Sequence, residues 1–190
     1  MINNILIAIT NNSDKFDSNN PLTFTAQEAG STVKLTATGS PVIDGLQYRT
    51  NNAEVWQPYT IDTVITLTNV DDYVQFQNTK EQLSLDSDNY VQFVMYGEET
   101  ESGRMNEGKI AASGNIQSML KDSTSCYPYC YYYMFGGCES LTVAPELPAT
   151  NLANGCYNSM FQDCTSLTSA PKLPATKLAN YCYNHMFSRL

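Results

Sequence analysis

The sequence predicts an α+β protein: a small antiparallel β-sandwich followed by a short solenoid of strand–turn–helix units with a 26-residue period. Two observations predict this fold. Residues 21–113 alternate apolar with polar side chains between turn signals, as half-buried antiparallel strands do. Residues 139–164 and 165–190 then align without a gap and agree at 17 of 26 positions. A fixed period of roughly 20–50 residues is typical of solenoids, in which each unit packs only on its neighbours.

The chain of 190 residues divides into three parts by texture. Residues 1–20 are rich in Asn, Asp and Ser, and we expect an N-terminal arm there. One apolar patch in the arm can anchor it on a partner's sheet edge or form a first strand of this chain's own sheet. The patch comprises Ile5, Leu6, Ile7 and Ile9. The sandwich, immunoglobulin-like in size, takes residues 21–113, and the solenoid takes residues 114–190.

Short alternating runs predict about seven strands in the sandwich. They include residues 22–26, 33–37, 46–50, 61–68, 73–77 and 90–96. Gly, Pro, Asn and Asp residues separate the runs, as expected of turns. The order of the strands is not readable from the sequence. Beyond them, Ser113 precedes a segment whose apolar residues would share one face of a short helix, and this helix is placed to cap the solenoid.

Each repeat reads as a short extended piece, a proline-bearing turn and a helix of about two turns. Pro145 and Pro148 exclude a regular helix in the turn. Cys156, Met160 and Cys164 lie at i, i+4 and i+8, which is the spacing of one helical face. Positions that differ between the copies carry nearly all the charge and are expected to face solvent. Among them are Gly155/Tyr181, Ser159/His185 and Asp163/Arg189.

These motifs resemble the BspA-like leucine-rich repeats of gut anaerobic bacteria and their tailed phages. The resemblance rests on the string SLT-x-AP-x-LPAT-x-LA-x-x-CY-x-x-MF-x-x-C in the repeats. The preceding module, from PLTFTAQEAGSTVKLTATG to GNIQSML, is similar to the β module that often precedes such repeats. The resemblance implies adhesion or surface recognition by a non-catalytic array. This chain has about two and a half repeats, fewer than is common in that family.

Charge and hydropathy exclude two classes of partner. The formal net charge is −9 and no Lys/Arg stripe occurs, so we expect no nucleic-acid binding. No apolar run approaches the roughly 20 residues that cross a bilayer, so we expect no membrane insertion. The apolar patch at residues 5–9 is also too short for a secretory signal and has no basic residue before it.

Six cysteines admit buried free thiols, some disulfide or a metal site. The repeat favours buried thiols. Cys126 aligns with Leu152 and Leu178, and Cys164 aligns with Leu190. A position that accepts either Cys or Leu is an apolar core position. We predict no metal, no cofactor and no catalytic residue.

The candidate binding residues are mainly aromatic. Tyr129, Tyr133 and Tyr181 occupy varying positions of the repeat, where they can form an exposed patch of the kind favoured at recognition surfaces. The alternative is that the repeat array has only a structural role as a covering layer and binds no partner. His185 also occupies a varying position and is expected at the surface. Trp56 follows a turn, where it either stacks on a sugar ring or packs the sandwich core.

Three functions follow from these features. The first is a structural and recognition protein on a phage virion surface, such as a head fibre. It would attach to the capsid by the N-terminal arm, assemble with itself as a homotrimer by analogy, and meet a host-surface protein or glycan. The second is an adhesin on the bacterial cell surface. The third is an enzyme, for which we can nominate no carboxylate pair or triad. We expect the first, and we expect a further segment or another chain to cover the solenoid's open end.

Overall fold

A computed structural model describes residues 20–51, 53–97, 108–121 and 125–190. Its described elements are nine strands and one short 3-10 helix. The strands are β1 (Leu22–Ala26), β2 (Ser31–Thr38), β3 (Leu46–Thr50), β4 (Gln57–Pro58), β5 (Ile65–Leu67), β6 (Tyr73–Asn78), β7 (Tyr90–Tyr96), β8 (Ile110–Ser113) and β9 (Leu141–Val143), and the 3-10 helix is Ile116–Met119.

The strands form two sheets that share a core. One sheet has the order β4-β3-β6-β1-β8-β9 and the other the order β5-β2-β7. All pairs are antiparallel except β8 with β9. Phe24 of β1 and Phe76 of β6 approach Phe93 of β7 from the opposite sheet, with ring centroids 4.8 and 5.1 Å away. The period-2 alternation turns these rings inward, and β1, β2, β3, β6 and β7 accordingly overlap the alternating runs of the sequence.

The predicted α+β class is wrong, because no α-helix occurs among the described residues and the chain is nearly all β. The segments predicted as repeat helices are instead series of consecutive, overlapping turns. We call residues 128–137 the first coil, 154–163 the second and 180–189 the third. The spacing of Cys156, Met160 and Cys164 misled the prediction, since a coil that repeats every four residues produces the same i, i+4, i+8 pattern as a helix of 3.6 residues per turn.

The predicted capping helix is also different, since it is a single 3-10 turn. Its N-cap is Asn115, whose side-chain Oδ1 accepts a hydrogen bond from the Gln117 amide at 2.8 Å. Ser113 instead ends β8. The turn still packs on the repeats, because the Tyr131 hydroxyl donates to the Ile116 carbonyl at 3.3 Å.

Every fourth residue of a coil enters the left-handed backbone region. These residues are Tyr129, Tyr133 and Gly137 in the first coil, Gly155, Ser159 and Asp163 in the second, and Tyr181, His185 and Arg189 in the third, with φ between 51° and 73°. A residue in that region cannot continue a right-handed helix. The chain therefore changes direction every four residues.

Backbone hydrogen bonds in the coils alternate between two directions. Amides of even-numbered residues donate within the coil to the carbonyl three residues earlier, as Met134 does to Tyr131 at 3.3 Å. Amides of odd-numbered residues donate to the next coil, as Tyr131 does to the Cys156 carbonyl at 3.0 Å. All bonds between coils run the same way. Each coil thus presents carbonyls to the coil before it and amides to the coil after it.

Side chains at equivalent positions stack at one coil spacing. Two columns of near-parallel rings result: Phe135, Phe161 and Phe187, with centroids 5.3 and 5.7 Å apart, and Tyr131, Tyr157 and Tyr183, with centroids 5.4 and 5.8 Å apart. Burying a Phe side chain stabilises a fold by about 1.5–3 kcal/mol. Burial of these columns therefore stabilises the coils.

The sandwich and the coils are joined at β7 and β9. The Phe93 amide of β7 donates to the Met134 carbonyl at 2.8 Å, and the Gln92 side chain donates to the Gly136 carbonyl at 2.6 Å. These bonds occupy the carbonyl side of the first coil. β9, which lies at the beginning of the repeat of residues 139–164, pairs with β8 and extends the six-stranded sheet.

Among the described residues, we find no helix with the length and hydropathy of a membrane span.

Candidate functional site

Four tyrosines meet where the first coil lies against the beginning of β7. The Tyr90 ring is 5.2 Å from that of Tyr132 and 6.2 Å from that of Tyr133, measured between centroids. The Tyr129 ring is 6.0 Å from that of Tyr132. All four side chains are half-buried. We call Tyr90, Tyr129, Tyr132 and Tyr133 the tyrosine cluster.

Sequence reasoning predicts two members of the cluster, Tyr129 and Tyr133, and misses the other two. Tyr132 had a usable signal, because Asn158 and Asn184 hold the same position in the later coils. Tyr90 had none. It reaches the cluster from β7, and the neighbour of β7 depends on a strand order that the sequence does not reveal.

Tyr129 and Tyr133 hold left-handed backbone conformations, with φ of 56° and 51°. Such a conformation costs a residue with a Cβ about 1–2 kcal/mol, whereas glycine adopts it without that cost. The second coil places Gly155 and Ser159 at the same two positions. The coil backbone therefore does not require tyrosine at either place, and the reason for tyrosine lies in its side chain.

Two of the rings pack directly over glycines. A Cβ added at Gly155 would lie 2.7 Å from Cε1 of Tyr129, so this ring lies directly over the glycine. The Tyr133 ring covers Gly136 in the same manner. The Asn154 side-chain amide donates to the Tyr129 hydroxyl at 3.5 Å. Both rings thus pack against the backbone.

Burial keeps the phenols of Tyr132 and Tyr133 protonated. Burial raises the pKa of Tyr132 above its usual value, and neighbouring Tyr90 and Asp88 add to the effect. Burial likewise raises the pKa of Tyr133, with Asp163 as the next cause. These two phenols therefore remain neutral at physiological pH, where they donate and accept hydrogen bonds. Ring faces, hydroxyls and nearby carboxylates are the groups that bind sugars or polar protein surfaces.

Tyr181 and His185 lie on the third coil, at the positions of Tyr129 and Tyr133 but two coil steps further along the stack. Tyr181 is 67% exposed, and His185 is also exposed. The small residues Gly155 and Ser159 separate them from the cluster. The predicted set is therefore divided between two places on one edge of the coils.

Trp56 lies just before β4 and is half-buried. The guanidinium carbon of Arg49 lies 4.6 Å from the centre of its indole ring, which is a cation–π distance. Arg49 covers one face of the indole, so a sugar ring can stack only on the opposite face.

The apolar residues predicted as a partner anchor, Ile5, Leu6, Ile7 and Ile9, fall outside the described residues. In the part of the chain that the structure describes, no three His, Cys, Asp or Glu side chains form a group suited to a metal ion.

All six cysteines are buried free thiols. The Cys138 thiol donates to the Phe93 carbonyl at 3.0 Å, and the Cys164 thiol donates to the Phe135 carbonyl at 3.0 Å. The same thiol bond thus recurs one coil step later. Burial raises the pKa of Cys138 well above its usual value and that of Cys164 to about 12. These thiols are protonated packing groups rather than nucleophiles.

Comparison with protein-family models, with curated proteins and with solved structures finds no match to this chain.

Proposed function

We propose that the protein is a non-enzymatic structural and recognition protein, which presents the tyrosine cluster to a partner from the surface of a phage virion, as a head fibre does. The observation that carries the recognition role is the placement of Tyr129 and Tyr133 in left-handed positions. An equivalent coil of the same chain fills those positions with Gly155 and Ser159. The coil backbone thus accepts smaller residues at these positions, and contact with a partner is the role that we propose for the tyrosine rings.

The support beneath the cluster favours this role. Tyr90 comes from β7, while the other three rings come from the first coil, and a hydrogen bond from Phe93 to Met134 fixes these two elements together. Rings that are already ordered lose little conformational entropy on binding. Tyrosine then offers a large contact area with only two rotatable side-chain bonds. The partner chemistry that we propose is a host-surface glycan or protein.

The recognition role is tested by converting the cluster to the residues of the second coil. The double variant Tyr129→Gly, Tyr133→Ser keeps residues that the coil backbone accepts. We expect it to remain folded and to lose at least about tenfold in binding to host-cell surfaces, since aromatic anchors carry much of the energy of an interface. The matched control is Val70→Ser, which alters an exposed aliphatic residue away from the cluster. Equal binding by the double variant and the native chain would remove the proposal.

The virion location requires a separate experiment, for which the resemblance to phage and bacterial surface repeats is the motive. Gold-labelled antibody to the protein is imaged on purified virions and on intact cells of the same culture. Label at regular positions on the particles supports the virion appendage. Label confined to the cell envelope contradicts it and supports the adhesin, which would use the same cluster.

Attachment through the N-terminal arm is the remaining part of the proposal. We expect a chain that lacks residues 1–20 to fold but to be absent from purified particles. A truncated chain that is incorporated as well as the full chain would show that attachment uses another surface.

A further inference from the structure

The outer face of the six-stranded sheet carries a line of polar side chains that are hydrogen-bonded to one another across the strands. In the register of β3, β6 and β1, Arg49 lies opposite Gln75, and Gln75 lies opposite Thr23. Nε of Arg49 donates to Oε1 of Gln75 at 2.7 Å, and Nε2 of Gln75 donates to Oγ1 of Thr23 at 3.1 Å. Trp56 contacts Arg49 from the β4 side, with its ring centre 4.6 Å from the guanidinium carbon. We call Trp56, Arg49, Gln75 and Thr23 the polar row.

Arg49 brings a positive charge without a carboxylate partner to this face. The other outward positions of β1, β3, β6 and β8 hold Thr, Gln, Tyr, Ala and Ser. Arg49 is half-buried and makes no ion pair in the described part of the chain, although the sequence has 19 acidic residues and 10 basic ones. Its hydrogen bond to Gln75 uses only Nε. The Nη groups therefore keep their donors for a ligand.

The polarity of the face does not by itself indicate a ligand, since polar side chains are usual on the outer face of an antiparallel sheet. The indication comes from an ordered guanidinium without a carboxylate partner, next to an indole with one face uncovered by Arg49. Guanidinium groups recognise carboxylates through paired N–H donors. An indole face offers apolar area to the apolar face of a sugar ring, and glutamine and threonine side chains can exchange hydrogen bonds with sugar hydroxyls.

We propose that the polar row binds an oligosaccharide that carries a carboxylate, at a site separate from the tyrosine cluster. One sugar unit stacks on the face of Trp56 that Arg49 leaves uncovered. The carboxylate of a neighbouring unit accepts hydrogen bonds from the Nη groups of Arg49. Because the indole separates these two places, the ligand is an oligosaccharide and not a single sugar. Gln75 and Thr23 contact the hydroxyl groups of the unit that lies over the sheet.

Two other classes of ligand fit the polar row less well. A neutral saccharide would cover the Arg49 charge without pairing it, and covering an unpaired charge is costly. A polyanion such as a nucleic acid or a heavily sulfated glycan would meet a single cation on a chain of net charge −9, which repels it. A ligand with isolated carboxylates avoids both costs.

The first test uses the native chain and the fluorescence of Trp56, which is the one tryptophan in the sequence. The probes are oligosaccharides with a single sialate or uronate unit, each beside its carboxyl methyl ester as an uncharged control. We expect an acidic probe to change the emission of Trp56 saturably, and its ester to bind about tenfold more weakly, because the ester cannot form charge-assisted hydrogen bonds. The absence of saturable change with every acidic probe overturns the proposal, as does equal affinity for acid and ester.

The second test removes the charge of Arg49. The variant Arg49→Gln should bind the acidic probe about tenfold more weakly, while its affinity for the ester stays at the native value. The matched control is Lys34→Gln, which removes the same charge from the half-buried outward side of β2 in the other sheet and should bind as the native chain does. Thermal unfolding of each variant checks that it is folded. Native affinity of a folded Arg49→Gln variant for the acidic probe contradicts the proposal.

The third test separates this site from the tyrosine cluster. The double variant Tyr129→Gly, Tyr133→Ser should bind the acidic probe with native affinity, even where it loses binding to host-cell surfaces. If the double variant loses the probe and Arg49→Gln keeps it, the saccharide binds at the tyrosine cluster. That result overturns the site at the polar row and leaves the recognition role of the tyrosine cluster in place.

Discussion

The ring of Phe93 in β7 stacks on the ring of Phe135 in the first coil, with centroids 5.5 Å apart and planes 11° apart. The Phe93 amide donates to the neighbouring Met134 carbonyl at 2.8 Å. Both contacts repeat what one coil does to the next. A strand of the sandwich therefore acts as the first layer of the coil stack. The direction of the hydrogen bonds, from the amides of one layer to the carbonyls of the next, is already present between β7 and the first coil.

Removal of the Phe93 ring should destabilise both parts of the molecule together. Phe93→Ala leaves a cavity between the sheets and deprives Phe135 of its stacking partner, so we expect a loss of about 3–5 kcal/mol. Unfolding of the sandwich is followed in urea by Trp56 fluorescence, and opening of the coils by amide hydrogen exchange of residues 154–163; both should show the loss. Val94→Ala, on the half-buried face of β7, is the control. Unchanged exchange of residues 154–163 in the Phe93→Ala variant would contradict the role of β7 as first layer.

Equivalent phenylalanines should differ in their contribution according to their place in the stack. Phe161 is fully buried and stacked on both sides, whereas Phe187 is half-buried and stacked on one. We expect Phe161→Ala to cost about 3–5 kcal/mol and Phe187→Ala to cost about half as much. Free energies of unfolding from urea titration decide between them. Similar losses at both positions would mean that the end of the stack is covered.

Substitutions at two glycines allow the free-energy cost of a left-handed backbone to be measured separately from the cost of a steric clash. Gly137 has a φ of 73° and open space around an added Cβ, so Gly137→Ala should cost only the backbone term of about 1–2 kcal/mol. Gly155→Ala adds a clash with the Tyr129 ring and should cost more. In a Tyr129→Gly background the excess should disappear, which a double-mutant cycle measures. An unchanged excess would show that Tyr129 does not lie over Gly155.

Alkaline pH should weaken the fold through buried thiols and phenols. Burial raises the pKa of Cys164 from 9.0 to about 12 and that of Tyr183 from 10.0 to about 12. Below pH 9 both the folded and unfolded thiol keep the proton, so Cys164 adds no pH dependence there. Between pH 9 and 12 the unfolded chain releases the proton first, and the free energy of unfolding falls.

The alkaline effect is measured as the change in thermal midpoint between about pH 8 and about pH 10.5. The native chain should lose more than the Cys164→Ala variant over that interval, whatever the variant's midpoint at pH 8. An equal change in both chains would show that Cys164 contributes nothing to the alkaline loss, and a midpoint that rises with pH would contradict the alkaline destabilisation itself.

Much of the sandwich could be predicted from the sequence, because alternation with period 2 identifies a half-buried strand wherever turn residues bound it. The run at residues 90–96 and β7 coincide for this reason. The partners of β7 could not be predicted, since alternation shows which residues face inward and not which strand or coil lies beside them. Tyr90 was missed as a member of the tyrosine cluster for the same cause.

The coils were mistaken for helices because their four-residue repeat is close to the helical period. A distinguishing signal was present. Gly155 and the positions four and eight residues later vary between the copies, and all three have positive φ. Glycine inside a supposed two-turn helix is unfavourable by about 1 kcal/mol relative to alanine, and it indicates a backbone that leaves the helical region. Tyr129 and Tyr133 were found only because they, too, interrupt the agreement between repeats.

The most direct test of the coil stack is amide hydrogen exchange of the native chain at low concentration, resolved by residue. The account predicts that all amides of residues 155–163 are protected, while protection in residues 181–189 alternates. There the amides of Cys182, Asn184, Met186 and Ser188 should exchange slowly and those of the odd-numbered residues between them rapidly. Uniform protection through both segments, as two helices would give, would contradict the stack of alternating turns.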